Sequence, residues 1–105
     1  MGQLEEPQSL PYIAESRMRE IASFADPKNL APAIEQAKDF ITRWSAVRVI
    51  LTANELIRKE EYPVGVIFGT ALDLLGDPHG RSMLTYSQTA IECSGCFDRW
   101  KARAL

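Results

Sequence analysis

The feature that most constrains the fold is a stretch at residues 64–75 in which Asp73 is the only charged side chain. A helix that is apolar nearly all round is typically buried at the centre of a protein. Pro63 suits the first turn of such a helix, and Gly76 is typical of its end. The sequence therefore predicts a central helix here. The alternative is a strand at residues 64–68, in which a glycine would alternate with apolar side chains.

Two glycines, Gly65 and Gly69, stand four residues apart on one face of this predicted helix. Glycine has no Cβ, so another helix backbone can approach closely at this spacing. In membranes the spacing marks dimer faces, whereas in a soluble chain it typically seats a neighbouring helix. We therefore predict that Gly65 and Gly69 are helix-packing positions.

A second pattern, at residues 30–60, predicts one long helix. Apolar side chains recur along it at helical spacing: Ile34, Ala37, Ile41, Trp44, Val47 and Leu51. Asn29 is a suitable cap, and the helix would be about 45 Å long at the usual rise per residue. The alternative is a strand at residues 47–51, where β-branched side chains extend a continuous apolar run.

The two ends of the chain carry the remaining predicted helices. The first is expected to begin at Ser9, and the last to run from Ser82 to about Ala104. Residues 1–8 are polar and are expected to form a flexible N-terminal arm, which leaves residues 9–105 as a single helical domain. The predicted fold class is all-α, a compact bundle of about four helices with one long central helix.

Composition narrows the classes of function. The 105 residues are 46% hydrophobic and 25% charged, which is ordinary for a globular domain of this length. A net charge of −2 does not indicate a basic nucleic-acid surface. The apolar runs are too short and interrupted to cross a bilayer, so no membrane partner is expected. Two cysteines in a chain without the pattern of a secretory signal indicate reduced thiols and a cytoplasmic location.

Cys93 and Cys96 form the one motif with candidate chemistry. Two thiols three residues apart on a helix share a face, and thiolates in that arrangement bind zinc or exchange a disulfide. A closed zinc site needs four ligands, and His79, the only histidine, brings the set to three. Packing as small apolar side chains is the favoured interpretation, so no cofactor is expected. The alternative function is a thiol redox or metal-binding protein that uses Cys93, Cys96 and His79.

A helix-turn-helix at residues 51–72 suggests a DNA-binding regulator as a second alternative. Its recognition helix would be the apolar one at residues 64–75, which has no Arg, Lys, Asn or Gln to contact base edges. A helix of that composition belongs inside a protein. Contact with nucleic acid is therefore not expected.

Aromatic side chains are the remaining candidates for function. A domain of this size does not easily bury them all, and exposed ones can form a partner surface. The candidate interaction residues are Trp44, Tyr86, Phe97 and Trp100. In the alternative interpretation, Trp44 and Trp100 pack together in the core. The hypothesis is a non-enzymatic cytoplasmic adaptor or regulatory protein that contacts a protein partner of unknown identity, with a homodimer formed along the long helix.

Overall fold

The computed structural model describes the backbone of residues 6–94 and the side chains of residues 14–92. Five α-helices follow one another in this part of the chain, with no strand among them. They are α1 (Glu6–Ser23), α2 (Ala31–Trp44), α3 (Ala46–Arg58), α4 (Tyr62–Leu74) and α5 (Pro78–Ser94). The predicted all-α bundle is confirmed, with five helices instead of about four. Both strand alternatives, at residues 47–51 and 64–68, are wrong because these residues lie in α3 and α4.

The central helix is α4, as predicted, and its backbone packs against each of the other four helices. Its buried positions are Val64, Gly65, Val66, Ile67, Phe68, Gly69, Ala71 and Leu72. Pro63 lies in the first turn, where a missing N–H breaks no intrahelical bond. Gly76, at φ 88°, ends the helix, because its N–H bonds to the carbonyl of Asp73 at 3.0 Å. Neither α4 nor any other helix in the described part of the chain is long and apolar enough to cross a membrane.

The predicted long helix at residues 30–60 is wrong, because the chain forms two helices, α2 and α3, with a break at Ser45. Ser45 leaves the helical conformation at φ 156° and ψ 146°, and its Oγ accepts a hydrogen bond from the N–H of Arg48 at 3.1 Å. Serine is among the best residues for capping a helix in this way. Packing explains the break. The 13 residues of α4 span only about 20 Å, and one straight helix of about 45 Å would run far past them.

The first helix, α1, begins at Glu6, three residues before the predicted start at Ser9, so part of the predicted arm at residues 1–8 is helical. An ion pair holds α1 against the turn before α4. Arg19 donates to both carboxylate oxygens of Glu61, from Nε to Oε1 at 2.9 Å and from Nη2 to Oε2 at 2.8 Å. These charge-assisted hydrogen bonds raise the pKa of Arg19 above its ordinary value.

The last helix, α5, begins at Pro78 instead of the predicted Ser82. Asp77 caps it, because its Oδ1 accepts a hydrogen bond from the N–H of His79 at 2.9 Å. The same oxygen lies 3.1 Å from Nδ1 of His79. The backbone hydrogen bond first, and then the ring contact, lower the pKa of Asp77. The predicted end of this helix near Ala104 lies outside the described residues.

The backbones of α4 and α5 approach each other closely at three glycines. A Cβ added to Gly69 would lie 2.7 Å from the backbone N of Leu84, and one added to Gly80 would lie 2.7 Å from the carbonyl oxygen of Gly69. A Cβ added to Gly65 would lie 2.8 Å from the Cβ of Ser87. Atoms do not pack this closely without a shift, so only glycine fits. Gly65 and Gly69 thus face a neighbouring helix, which is α5.

Candidate binding groove between α3 and α5

A groove of about 390 Å³ lies between α3 and α5. Both helices pack on α4, but within the described residues they make no comparable backbone contact with each other. From α3 the groove is lined by Ile50, Asn54, Ile57 and Arg58. From α5 it is lined by His79, Ser82, Met83 and Tyr86. The volume lies within the range of roughly 300–1,000 Å³ that is typical of ligand pockets.

Both walls of the groove are joined to α4 by short turns. The α5 wall runs antiparallel to α4, because Gly65 lies against Ser87 and Gly69 lies against Leu84. Gly65 of α4 shows which residues of α3 and α5 lie opposite each other. A Cβ at Gly65 would lie 2.9 Å from Cδ1 of Ile57 and 2.8 Å from the Cβ of Ser87. Ile57 and Ser87 are therefore level across the groove. Arg58 and Tyr86 are the sequence neighbours of these two residues and therefore lie near the same level.

An exposed apolar stripe on α3 continues the groove. Val47 is 68% exposed and Leu51 is 64% exposed. Both fall on the helix face of Asn54 and Arg58, because these positions repeat at spacings of four and three residues. On the opposite wall, Tyr86 is 60% exposed. We call Val47, Leu51 and Tyr86 the apolar rim: Tyr86 lines the groove, and Val47 and Leu51 lie further along α3. Large apolar side chains that are exposed beside a groove are typical of an interaction surface.

Arg58 and His79, two polar side chains of the groove, are paired with neighbours on their own helices or turns. Arg58 donates to Oε2 of Glu55 at 3.0 Å, and both side chains are exposed. At the other end, His79 contacts Asp77 at 3.1 Å. Exposed pairs of this kind contribute little energy. Among residues 14–92, no group of three His, Cys, Asp or Glu side chains could hold a metal ion. The groove therefore offers mainly apolar surface with polar ends.

Tyr86 is the one predicted interaction residue that the structure places at this groove. Trp44 is half-buried on another side, where it stacks on Phe40 with ring centroids 5.4 Å apart. It borders a smaller cavity of about 270 Å³ between α1 and α2. Phe97 and Trp100 lie outside the described residues. The alternative contact between Trp44 and Trp100 therefore stays a prediction.

The residues of the redox or metal hypothesis do not all come together. His79 is the second residue of α5, and Cys93 lies fourteen positions further along the same continuous helix. At the helical rise, their backbones are about 21 Å apart, too far for both side chains to bind one metal ion. The side chain of Cys93 and the whole of Cys96 lie outside the described residues. The role of the cysteine pair stays a prediction.

The helix pair that suggested DNA binding does not expose its recognition helix. A recognition helix has to enter the major groove of DNA. That helix would be α4, which is buried along most of its length against the other four helices.

Sequence periodicity does not identify most of the groove. It assigns Val47 and Leu51 to the apolar stripe of one long helix, which predicts that they are buried. The break at Ser45 changes the direction of the chain, and α3 buries a different face: Val49, Ala53, Leu56 and Ile57. One signal was present, because apolar residues occupy more than one face of α3 and a single contact cannot bury them all.

Comparison with known proteins assigns no family to this fold. No protein-family model, curated protein or solved structure matches the chain. The function is therefore inferred from the groove and its apolar rim.

Proposed function

We propose that this protein is a non-enzymatic adaptor or regulatory protein of the cytoplasm, and that it binds a partner protein through the groove between α3 and α5. The apolar rim supports the proposal, because Tyr86 lines the groove, Val47 and Leu51 lie further along α3, and each of the three is at least 60% exposed. Fully burying a large apolar side chain contributes about 1.5–3 kcal/mol. Since well over half of each rim side chain is still exposed, we expect about 1–2 kcal/mol per residue on binding.

A helical segment of the partner suits the shape of the groove. From Ile50 to Arg58 the wall formed by α3 is about 12 Å long, or just over two helical turns. An amphipathic helix in such a groove places apolar side chains at positions i, i+3 or i+4, and i+7. They would lie against Ile50, Met83 and Tyr86. The paired polar side chains, Arg58 with Glu55 and His79 with Asp77, would form the polar border that is common at protein interfaces.

A pull-down from the native host tests the proposal with two matched aromatic variants. Tyr86→Ala removes a ring of the apolar rim. Phe24→Ala removes a ring that is 80% exposed directly after α1 and does not line the groove. The partner is the protein that mass spectrometry finds with the wild type and with Phe24→Ala but not with Tyr86→Ala. Equal capture by all three proteins would contradict the proposal.

A homodimer is the second candidate, and the exposed stripe on α3 favours it. Val47 and Leu51 of two copies can pack together about a two-fold axis. The long helix on which the sequence bases this prediction is broken at Ser45, so α3 would have to supply the contact. Light scattering at micromolar concentration decides the question. A mass of two protomers that falls to one in Leu51→Ser supports the dimer, and a mass of one protomer in the wild type excludes it.

A further inference from the structure

We propose that two copies of the chain bind each other through the outer face of α3, with the two helices antiparallel and Arg48 of each copy paired with Glu55 of the other. The inference rests on the second candidate of the proposed function, the homodimer. It goes beyond that candidate by giving the direction of the two helices and the charged pairs that determine it.

The outer face of α3 lies opposite the face that this helix buries in the core. Successive residues of a helix are rotated by about 100°, which places exposed Val47 and Leu51 within about 40° of each other. Arg48 and Glu55 are both exposed and lie roughly 50° to one side of Leu51. The groove is on the other side, where Ile57 lies. The two charged residues therefore lie on the flank of α3 that faces away from the groove.

The apolar residues of this face place the two-fold axis beside Leu51. An axis midway between Leu51 and Thr52 brings the Leu51 side chains of the two copies together at the centre of the contact. Val47 then lies between Asn54 and Arg58 of the second copy, because antiparallel helices place positions at equal distances from the axis opposite each other. The aliphatic part of an arginine side chain can cover apolar surface while its charged end stays in water. Both exposed apolar residues of α3 are thus covered.

The same axis brings opposite charges together twice. Arg48 and Glu55 stand at equal distances before and after it on the same flank, so each faces the other residue in the second copy. Within the described side chains Arg48 has no carboxylate partner, and its Cζ lies over the ring of Trp44 at 5.9 Å from the centroid. Glu55 accepts a hydrogen bond from Arg58 through Oε2 at 3.0 Å, which leaves Oε1 able to accept another. Both groups can therefore form the new pair.

The direction of the helices follows from these charges. In a parallel pair each position faces itself, so Arg48 would lie opposite Arg48 and Glu55 opposite Glu55. Like charges placed together across an interface oppose binding, whereas complementary charges favour it and fix its orientation. The charge pattern of α3 is thus complementary to itself only in the antiparallel arrangement, and this selects a second copy as the partner of this face.

Charge reversal tests the inference in the full chain. Arg48→Glu turns both attractive pairs of the dimer into repulsive ones, and so does Glu55→Arg. The dissociation constant of each variant is expected to rise roughly thirtyfold, since four small contributions change together. A 1:1 mixture of the two variants is expected to form a heterodimer about as tightly as the wild type, because both of its pairs are attractive again. Light scattering measures the masses, and native mass spectrometry distinguishes the heterodimer from either homodimer.

Matched controls make the same charge changes on other helices. Arg81→Glu on α5 and Glu35→Arg on α2 alter exposed side chains away from α3, and both variants are expected to dimerise like the wild type. Circular dichroism confirms that each variant is folded. If a single reversal prevented folding, Arg48→Glu and Glu55→Arg combined in one chain would still test the contact. That double variant exchanges the two charges, so it is expected to dimerise as tightly as the wild type, and a monomer would contradict the inference.

Three further results would overturn it. A wild-type mass of one protomer at micromolar concentration removes the inference together with the homodimer itself. Single variants that dimerise as strongly as the wild type exclude the antiparallel pairs, since parallel helices would keep like charges opposite each other in every case. A wild-type dimer whose two single variants stay monomeric when mixed assigns the contact to another surface. None of these measurements contains a partner protein, so their failure is distinct from that of the pull-down.

Discussion

Helix α5 meets the rest of the molecule on two sides with opposite properties. Toward α4, Gly80 and Gly69 bring the two backbones together with no room for one more methyl group. Toward α3, Met83 and Tyr86 line an open groove. One side of the helix therefore fixes the fold, and the other is free to bind.

The difference shows how a small domain separates stability from function within one helix. Close packing requires a set volume at each position, so changes against α4 are expected to destabilise the protein. An exposed side chain meets no such limit, so changes at the groove are expected to alter binding alone. Substitutions on the two sides of α5 can break this comparison or sharpen it.

Gly80→Ala is expected to have the largest effect on stability, because it acts on the side of α5 that packs against α4. Its Cβ would lie 2.7 Å from the carbonyl oxygen of Gly69 and 2.8 Å from the carbonyl carbon of Leu72, and backbone atoms cannot rotate away. Alanine is intrinsically better than glycine in a helix by about 1 kcal/mol. Overpacking outweighs this gain, and the free energy of unfolding is expected to fall by about 3 kcal/mol in urea titrations.

The matched control for this variant is Gly76→Ala. Nothing lies within 4 Å of its added Cβ, but its φ of 88° disfavours alanine. We expect a loss of about 1 kcal/mol from the backbone conformation alone. If Gly80→Ala lost no more stability than Gly76→Ala, lack of space between α4 and α5 would not explain the need for glycine at position 80.

Gly65→Ala sharpens the comparison by testing whether a side chain or the backbone of α5 limits the space beside α4. The new Cβ would meet the side chain of Ser87, whose Oγ is buried with no hydrogen-bond partner among the described residues. We expect a loss of about 2 kcal/mol. Because the obstacle is a side chain, Ser87→Gly in the double variant is expected to recover about 1 kcal/mol. Strictly additive losses in the double-mutant cycle would argue against this contact.

Glu60→Gly tests the turn between α3 and α4. Glu60 adopts φ 66°, with its N–H bonded to the carbonyl of Ile57 at 2.9 Å and the N–H of Glu61 bonded to that of Leu56 at 3.0 Å. Gly76 makes the same kind of turn after α4. A left-handed conformation costs a non-glycine residue about 1 kcal/mol, and the flexibility of unfolded glycine offsets part of the gain. We expect Glu60→Gly to raise the free energy of unfolding by about 0.5 kcal/mol.

Thermal and urea unfolding of Glu60→Gly, measured beside Gly76→Ala, should therefore give shifts of opposite sign. A loss of stability in Glu60→Gly would mean that the Glu60 side chain contributes more than its backbone conformation costs.

The smallest effect on stability is expected for Tyr86→Ala. Its ring is 60% exposed, so the free energy of unfolding should change by less than about 0.5 kcal/mol. Binding by the groove should nevertheless weaken, by the roughly 1–2 kcal/mol expected for one rim residue. A stability loss near that of Gly65→Ala would show that both sides of α5 belong to the core, and the comparison would fail.

The central position of α4 can be predicted from sequence, because a stretch with Asp73 as its only charge leaves no face suited to water. The break at Ser45 cannot be predicted in the same way. Apolar spacing continues across it, so one long helix and two shorter ones fit the local pattern equally well. What selects two helices is the length of α4, against which both segments pack. This packing depends on the tertiary structure, which the local sequence pattern does not reveal.

The groove is harder to predict than the fold. It depends on two helices, α3 and α5, that pack on a third without closing on each other. Exposed aromatic character identifies Tyr86 in advance. Val47 and Leu51 look like core residues until the direction of α3 after Ser45 is known. A site formed between elements distant in sequence therefore follows from packing and not from a motif.

The short connection at residues 75–77 also bears on how the chain acquires its shape. Segments close in sequence associate fastest, since closing a short loop loses little chain entropy. Because α4 and α5 also have the closest backbone contact among the described helices, their hairpin is expected to assemble first and to hold the slowest-exchanging amide hydrogens. By contrast, α1 reaches its place through Arg19 and Glu61, which are 42 residues apart. It should join late and fray early, leaving the hairpin as the last part to melt.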